Sequence, residues 1–295
     1  MSITPPRKKF VVQARQFCLT LGDRTQITGI LNLSPDSFSR DGILVKTTKD
    51  LGRIREIAEK LIHEGADILD IGGESTRPGS LPISAQEEIS RVIPTIQMLA
   101  KKITVPISID TYKPLVARHA LDAGCSIINN IMGVNPELSL LRMVQRYDAA
   151  LVLMHIQGNP RTMQKRIHYR NLMREIKGKL RESREKCLEI GIKSDKIIID
   201  PGIGFGKTIA HNLKLICRLK EFQSLQCPLL VGTSRKSFIG RILSKDVHDR
   251  LMGTAATVVC AILNGAHIVR IHDVGDLRDA IIMTDNILNY EKCLL

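Results

Sequence analysis

"VPISID" occupies residues 105–110, "TYKPLVARHALDAGC" residues 111–125 and "SIINN" residues 126–130. The two short runs are apolar and β-branched on both faces, the pattern of strands buried in a parallel sheet. Between them Pro114 stands early and Gly124 late, the asymmetry of a helix that starts on proline and ends on a left-handed cap. Strand, helix and strand together read as one βαβ unit. The unit recurs outward in both directions. "ITGILN" (27–32) and "DILDI" (67–71) precede it. "AALVLM" (149–154), "KIIID" (196–200), "LLVGT" (229–233) and "HIVRI" (267–271) follow it.

Helical patterns fill the intervals. In "KDLGRIREIAEKLIHEG", Leu51, Ile54, Ile57, Ala58, Leu61 and Ile62 share one face and Gly65 sits at the cap position. "SAQE" at 84–87 has capping-box spacing before Ile89, Val92, Ile93 and Ile96, and Pro94 predicts a kink in that helix. Further helical stretches span 168–190, 209–221, 248–264 and 276–290. Eight strands alternating with eight helical intervals predict an α/β fold, a single (β/α)8 barrel over residues 27–295. A doubly wound open sheet is the alternative. Residues 1–26 are expected to form a hairpin extension closing the bottom of the barrel.

Composition narrows the class. Hydrophobic content of 43% with no tryptophan and 3% aromatics gives an aliphatic core. The net charge of +13 points to an anionic partner, either nucleic acid or a phosphorylated metabolite. Cations scattered over helices and few aromatics for base stacking disfavour nucleic acid. Seven cysteines without a CxxC pair argue against a disulfide framework or zinc site and for a reducing, cytoplasmic setting. The basic N-terminus lacks the apolar run of a signal peptide, and "AATVVCAILNGA" is too short to span a bilayer.

In such a barrel the C-terminal strand ends build the active site. Asn32, "GGESTRPGS" (72–80), Asp110, Asn129, Met154 with His155, Asp200 with "PGIGFGK", "SRKS" (234–237), and Arg270 with His272 all fall there. Singly, each has a plain reading: Asp110 as a helix cap, Asn129 as a turn residue, His155 as packing. Together, Asp110, Asn129 and Asp200 offer acceptors and an amide to a flat, nitrogen-rich heterocycle, with Lys236 as a cation beside it. Arg270 and His272 lie two residues apart on one strand face and suit a phosphate. No set of three carboxylates forms a metal site.

The motifs "GILNLSPDSFS", "DIGGESTRPGS", "ISIDT", "IINN", "LMHIQGNPRTMQ", "IIIDPGIGFGKT", "GTSRKSFIG" and "NGAHIVRIHDV" run in order from about residue 27 to 274. In them the chain resembles the dihydropteroate synthases, a family of pterin-binding barrels. The resemblance implies condensation of 6-hydroxymethyl-7,8-dihydropterin diphosphate with p-aminobenzoate, giving 7,8-dihydropteroate and pyrophosphate in folate biosynthesis. It implies Asp110, Asn129, Asp200 and Lys236 around the pterin, with Met154, Phe205 and Gly232 shaping its slot. It places Asn32 on a Mg2+ cofactor shared with the diphosphate, and Thr76, Arg77, Arg270 and His272 on the diphosphate itself. Phe38, Thr76, Pro78, Lys236 and Ser237 would frame p-aminobenzoate. Asp110, Lys236, Arg270 and His272 carry the catalytic expectation. The resemblance also implies a cytoplasmic homodimer and a sulfonamide target, with neither nucleic acid nor membrane as partner.

Departures from the family pattern are few. Arg40 reads as an insertion in the first loop, Ile43 replaces a glycine, Asn130 stands where Asp is common, and Thr28 stands where Met is usual. A methyltetrahydrofolate-dependent methyltransferase shares the ring contacts, but has no diphosphate to expel and no need of "ESTRPG" or the Arg-x-His of the last strand. A basic nucleic-acid-binding protein leaves the ring of polar strand ends unexplained. "GGESTRPGS" is expected to be a lid over the diphosphate, its glycines giving it conformational freedom.

Overall fold

The structure, a computed structural model, describes residues 7–34, 48–77 and 79–291. A hairpin comes first, β1 (Phe10–Ala14) pairing antiparallel with β2 (Phe17–Leu21). The barrel then opens with β3 (Gln26–Asn32), α1 (Thr48–His63), β4 (Ile68–Gly72) and α2 (Ala85–Leu99). It continues through β5 (Ile107–Asp110), α3 (Pro114–Asp122), β6 (Ile127–Asn130), α4 (Leu138–Arg146) and β7 (Ala150–Met154). The remaining elements are α5 (Leu172–Glu189), β8 (Ile197–Asp200), α6 (Ile209–Cys217), β9 (Leu230–Val231), α7 (Ser237–Leu243), α8 (Leu251–Leu263), β10 (Ile268–Ile271) and α9 (Val274–Leu288).

The eight strands β3 to β10 pair in parallel in the order β8-β7-β6-β5-β4-β3-β10-β9, and an isolated parallel bridge between Ile199 and Leu229 closes the ring. Successive side chains on a strand point to opposite faces. Leu69 and Ile71, Ile107 and Ile109, and Ile197 and Ile199 therefore face outward and meet the helices in one aliphatic cluster. The inward residues change character along the axis. Near the floor Ile68, Ile127, Ile198, Leu230 and Ile268 pack against Val12, Ala14, Leu19 and Leu21 of the hairpin. One step further along the same faces come Asp70, Asn129, Asp200, Gly232 and Arg270. The sheet is thus apolar outside, apolar at the bottom inside and polar at the top inside.

Local signals explain most of the elements. Pro114 takes the first turn of α3, where its missing N–H costs no hydrogen bond. Gly65 and Gly124 end α1 and α3 at φ +113. Ser84 caps α2 by accepting from the Glu87 N–H, while Glu87 turns to Arg91 and leaves the capping box half made. The helix of α2 runs without a break through Pro94. Two helices have no counterpart in the sequence reading, α4 and the seven-residue α7.

The floor holds a buried, hydrogen-bonded ion pair. Arg7 donates to Thr25 Oγ1 (2.6 Å), to the Ala266 carbonyl (3.0 Å) and to Asp285 Oδ1 (2.6 Å). Asp285 accepts in addition from the Thr25 N–H and hydroxyl. His267 accepts from the Leu229 N–H at Nδ1 (3.1 Å), so its Nε2–H donates to the Lys8 carbonyl (2.9 Å). Burial pushes that imidazole down to about 4 and keeps it neutral.

Candidate active site

At the opposite end of the barrel lies a cleft of about 400 Å3. Ten of the residues singled out in the sequence line it: Asn32, Thr76, Arg77, Asp110, Phe205, Gly232, Lys236, Ser237, Arg270 and His272. Asn129, Met154 and Asp200 do not open onto it. They lie buried around it, Asn129 on a much smaller cavity in the barrel interior and Met154 packed with Phe205 and Met163. Phe38 and Pro78 fall outside the described residues, as do Arg40 and Ile43.

The electrostatic centre is a chain that begins with a residue the motif reading passed over. Asp70, buried in the middle of β4, accepts from Arg270 Nε (2.6 Å) and from Asn129 Nδ2 (3.1 Å) on the same oxygen. Arg270 reaches Asp110 Oδ2 with Nη2 (2.9 Å). Two nitrogens of Arg270 are thereby committed to carboxylates, so an anion in the cleft would meet a guanidinium already oriented. Asp110 keeps its second oxygen buried and, among the described residues, without a partner. Burial is the main reason its carboxyl rises to about 7, with the Arg270 charge opposing. Asp200 rises to about 6, again through burial, against the Gly202 N–H that it accepts at 2.6 Å and the charge of Lys236.

Lys236 lies over the ring of Phe205, 4.1 Å from its centre, and burial brings its ammonium down to about 8. The turn that presents it is tightly held. Arg235 sits at φ +56, a left-handed conformation costly for a side-chain-bearing residue. Its N–H donates to Thr254 Oγ1 (3.1 Å), its carbonyl accepts from Arg250 Nη1 (3.0 Å), and its guanidinium pairs with Asp273. Neighbouring Ser234 shares its hydroxyl with His272, whose Nδ1 lies 3.0 Å away. Burial, with the charges of Arg235 and Arg270 behind it, holds His272 well below the ordinary histidine value. Gly232 leaves room for Arg270, whose Cβ lies 3.7 Å from where a side chain at 232 would begin.

The loop after β4 is anchored from below. Glu74 accepts from Tyr112 Oη (3.0 Å), Lys113 Nζ (2.5 Å) and the Ile83 N–H (3.0 Å). Lys113 also pairs with buried Glu88 at 2.7 Å. Beyond Glu74, Ser80 Oγ donates to the Ser75 carbonyl (2.6 Å), and the Gly79 N–H donates to Pro160 of the loop after β7. The glycines do different jobs. Gly79 has φ +86 in open space, whereas a side chain on Gly73 would strike Val92 of α2 at 2.7 Å. Gly73 is there for close packing, not for freedom.

The cleft therefore joins a buried acceptor-rich wall, an apolar slot at Phe205 and Met163, and a cationic rim at Arg77, Arg235, Lys236 and Arg250. A flat polar ring and an anion fit those surfaces together. The family described as pterin binding enzyme matches residues 28–272. The chain belongs to that family, among its dihydropteroate synthases. A dihydropteroate synthase of Synechocystis is 45% identical over 254 residues, 86% of each chain. The fold of a Yersinia pestis dihydropteroate synthase, solved with a sulfonamide drug complex, superposes with a TM-score of 0.87 at 39% identity, covering 94% of this chain and 98% of that one. A Xanthomonas albilineans dihydropteroate synthase solved with 4-aminobenzoic acid gives 0.84 at 36% identity, covering 94% and 97%.

Asp70, Glu74 and Ser234 lie within the matched motifs but were given no role of their own, and Arg250 lies outside them. For Asp70 a signal existed: it shares the inward face with Ile68, so a carboxylate in an apolar strand pointed into the barrel.

Proposed function

We propose that this chain condenses 6-hydroxymethyl-7,8-dihydropterin diphosphate with p-aminobenzoate to give 7,8-dihydropteroate and pyrophosphate, in the cytoplasm and in the service of folate biosynthesis. The observation that carries the reading is the buried Asp110 Oδ1, without a partner among the described residues, on a side chain that lines a cleft whose other wall is cationic. A carboxylate so placed lacks a donor, and a pterin ring supplies N–H groups. Family membership supports the activity.

Asp110, Asp200 and Asn129 would hold the pterin's ring nitrogens, Lys236 its carbonyl edge, and Phe205 and Met154 its faces, with Gly232 keeping the slot open. Arg77, Thr76 and His272 would receive the diphosphate beside Arg270. The C–O bond to the diphosphate breaks with its electron pair leaving on pyrophosphate, and positive charge develops on the pterin methylene. Ionised Asp110 faces that charge and stabilises it. The amine of p-aminobenzoate, held along Thr76, Lys236 and Ser237, then forms the C–N bond and loses its proton. Phe38 and Pro78 belong to the same proposed pocket.

Mg2+ fits this arrangement only as a shared ion. Among the described residues no cluster of three His, Cys, Asp or Glu side chains could hold a metal. Asn32 lines the cleft with one amide oxygen, and the diphosphate would furnish the others. Bound there, the ion would offset the charge of the leaving group.

We further propose a homodimer formed through α7, α8 and α9, which expose Ile242, Leu243, Met252, Ile282, Met283 and Ile287. No helix among the described residues is long and apolar enough to cross a membrane. We take neither nucleic acid nor a membrane as partner. The test is a direct assay with purified protein, Mg2+, the pterin diphosphate and labelled p-aminobenzoate. Labelled dihydropteroate is expected, and its absence would sink the reading.

A further inference from the structure

Lys207 is buried, follows the glycine-rich loop after β8, and takes no part in the chemistry above. Its ammonium donates to the Phe205 carbonyl (2.9 Å) and the His155 carbonyl (3.4 Å) and lies 3.2 Å from His155 Nδ1. None of these partners carries a negative charge, and among the described residues no carboxylate lies within ion-pair distance. Buried lysines are ordinarily paired, because burial penalises the lone ammonium. Something must therefore repay the placement.

The surroundings say what. Lys207 Nζ lies 3.4 Å from the point where a side chain on Gly202 would begin, and the Gly202 N–H donates to Asp200. Gly202 has φ +70, and a side chain there would run into the His155 carbonyl. The chain is thus pressed against β7 just where Lys207 binds, and Phe205 hangs from the same loop. We propose that Lys207 is a positioning residue of the pterin site: its ammonium pins the loop bearing Phe205 to the end of β7 and is one of several cations that act on Asp200. The proposal rests on the pterin reading of the cleft.

Six titratable or charged groups bear on it. Asp200 faces Lys207, Lys236 and Arg270, all of which favour its carboxylate. Lys207 itself is brought to about 7 by burial, with Asp200 opposing and Lys236 assisting. His155 stays neutral under burial and the charges of Lys207 and Lys179, and the Lys207 charge also depresses His211. At pH 6 Lys207 is charged and Asp200 is half ionised. At pH 8.5 Lys207 is largely neutral and Asp200 fully ionised. Removing the Lys207 charge must therefore act on the acid side alone.

The test uses 6-hydroxymethylpterin, which has no titrating phosphate, in calorimetric binding from pH 5 to 8.5. Lys207→Gln keeps a donor for the Phe205 carbonyl but drops the charge. It is expected to move the acid limb of affinity upward by about one pH unit and to leave affinity at pH 8.5 unchanged. Lys207→Arg keeps the charge and should keep the wild-type limb. An unshifted limb in Lys207→Gln, or an equal loss at every pH in both variants, would overturn the charge role and leave only a pin. If neither variant folds, carboxyl-13C aspartate in the wild-type protein replaces them. The Asp200 resonance, assigned by Asp200→Asn, should then show a second inflection near pH 7 as Lys207 loses its proton, and a single inflection overturns the proposal. A wild-type protein that binds no pterin at all would instead sink the functional reading.

Discussion

At the floor of the barrel, Arg7 and Thr25 converge as donors on the buried carboxylate of Asp285, both of whose oxygens accept. At the mouth, Asp70 and Asp110 share Arg270, yet each keeps one buried oxygen without a partner among the described residues. The same strands pass through both ends. The floor's histidine, His267, is held below its ordinary value, while the mouth's carboxyls, Asp110 and Asp200, are held above theirs. In both places burial is the leading cause, but the consequences for folding run in opposite directions. His267 contributes stability above pH 6.5 that is lost as pH falls toward 4. Asp110 and Asp200 favour folding below about pH 4, and that contribution is lost as pH rises through 6 and 7. Near neutrality the floor stabilises the fold and the mouth spends part of that stability on a site ready for a ligand.

The largest expected effect is at the floor. Arg7→Met leaves Asp285 buried without its cation and should lower unfolding stability by about 3–5 kcal/mol, measured by urea titration, while turnover per folded molecule stays unchanged. A loss of turnover without a loss of stability would break the comparison. Next comes Asp110→Asn. It should cut kcat by about 100-fold or more, on the order of 3 kcal/mol, with a much smaller change in pterin affinity. Equal losses in both would remove Asp110 from the transition state.

A smaller effect sharpens the contrast. Asp200→Asn can still accept from the Gly202 N–H but no longer has to bury a charge. Its thermal midpoint should rise by a few degrees at pH 8 and match the wild type at pH 4, although pterin binding is lost. A variant that melts earlier at pH 8 would show that the ionised carboxylate stabilises the mouth after all. The smallest effect is again at the floor, where Lys9 and Asp23 form an exposed pair at 3.0 Å. Lys9→Ala should change stability by about 0.5 kcal/mol or less. A larger loss would mean that surface charge, not buried pairing, secures that end.

Much of this division could be read from the sequence, because inward and outward residues alternate. The apolar runs place the strands, and their last inward residues, Asp110, Asn129, Asp200 and Arg270, place the mouth. Asp70 escaped notice because it sits one inward step below its strand's end, inside a run that looked wholly structural. Lys207 and Glu74 lie in quoted motifs, but their individual roles escaped for a different reason. Their partners, His155, Tyr112 and Lys113, come from other βα units, and no local pattern announces a contact between loops. The short α7 offers too few turns for periodicity to register, and α4 buries only Leu140, Leu141 and Val144. Pro94 lies inside α2 without ending it.

The closure of the ring between β8 and β9 has one more consequence. β9 is two residues long, and its link to β8 is the isolated bridge at Ile199 and Leu229, with the Ile199 N–H donating to the Pro228 carbonyl. The barrel is thus a curled sheet fastened at one point, and that fastening lies directly below Asp200 on one side and the Lys236 turn on the other. A ring held by both residues would act as a staple across the joint. The Ile199 amide should exchange its proton with solvent early in the empty protein and late once pterin is bound, so that the substrate completes the architecture that receives it.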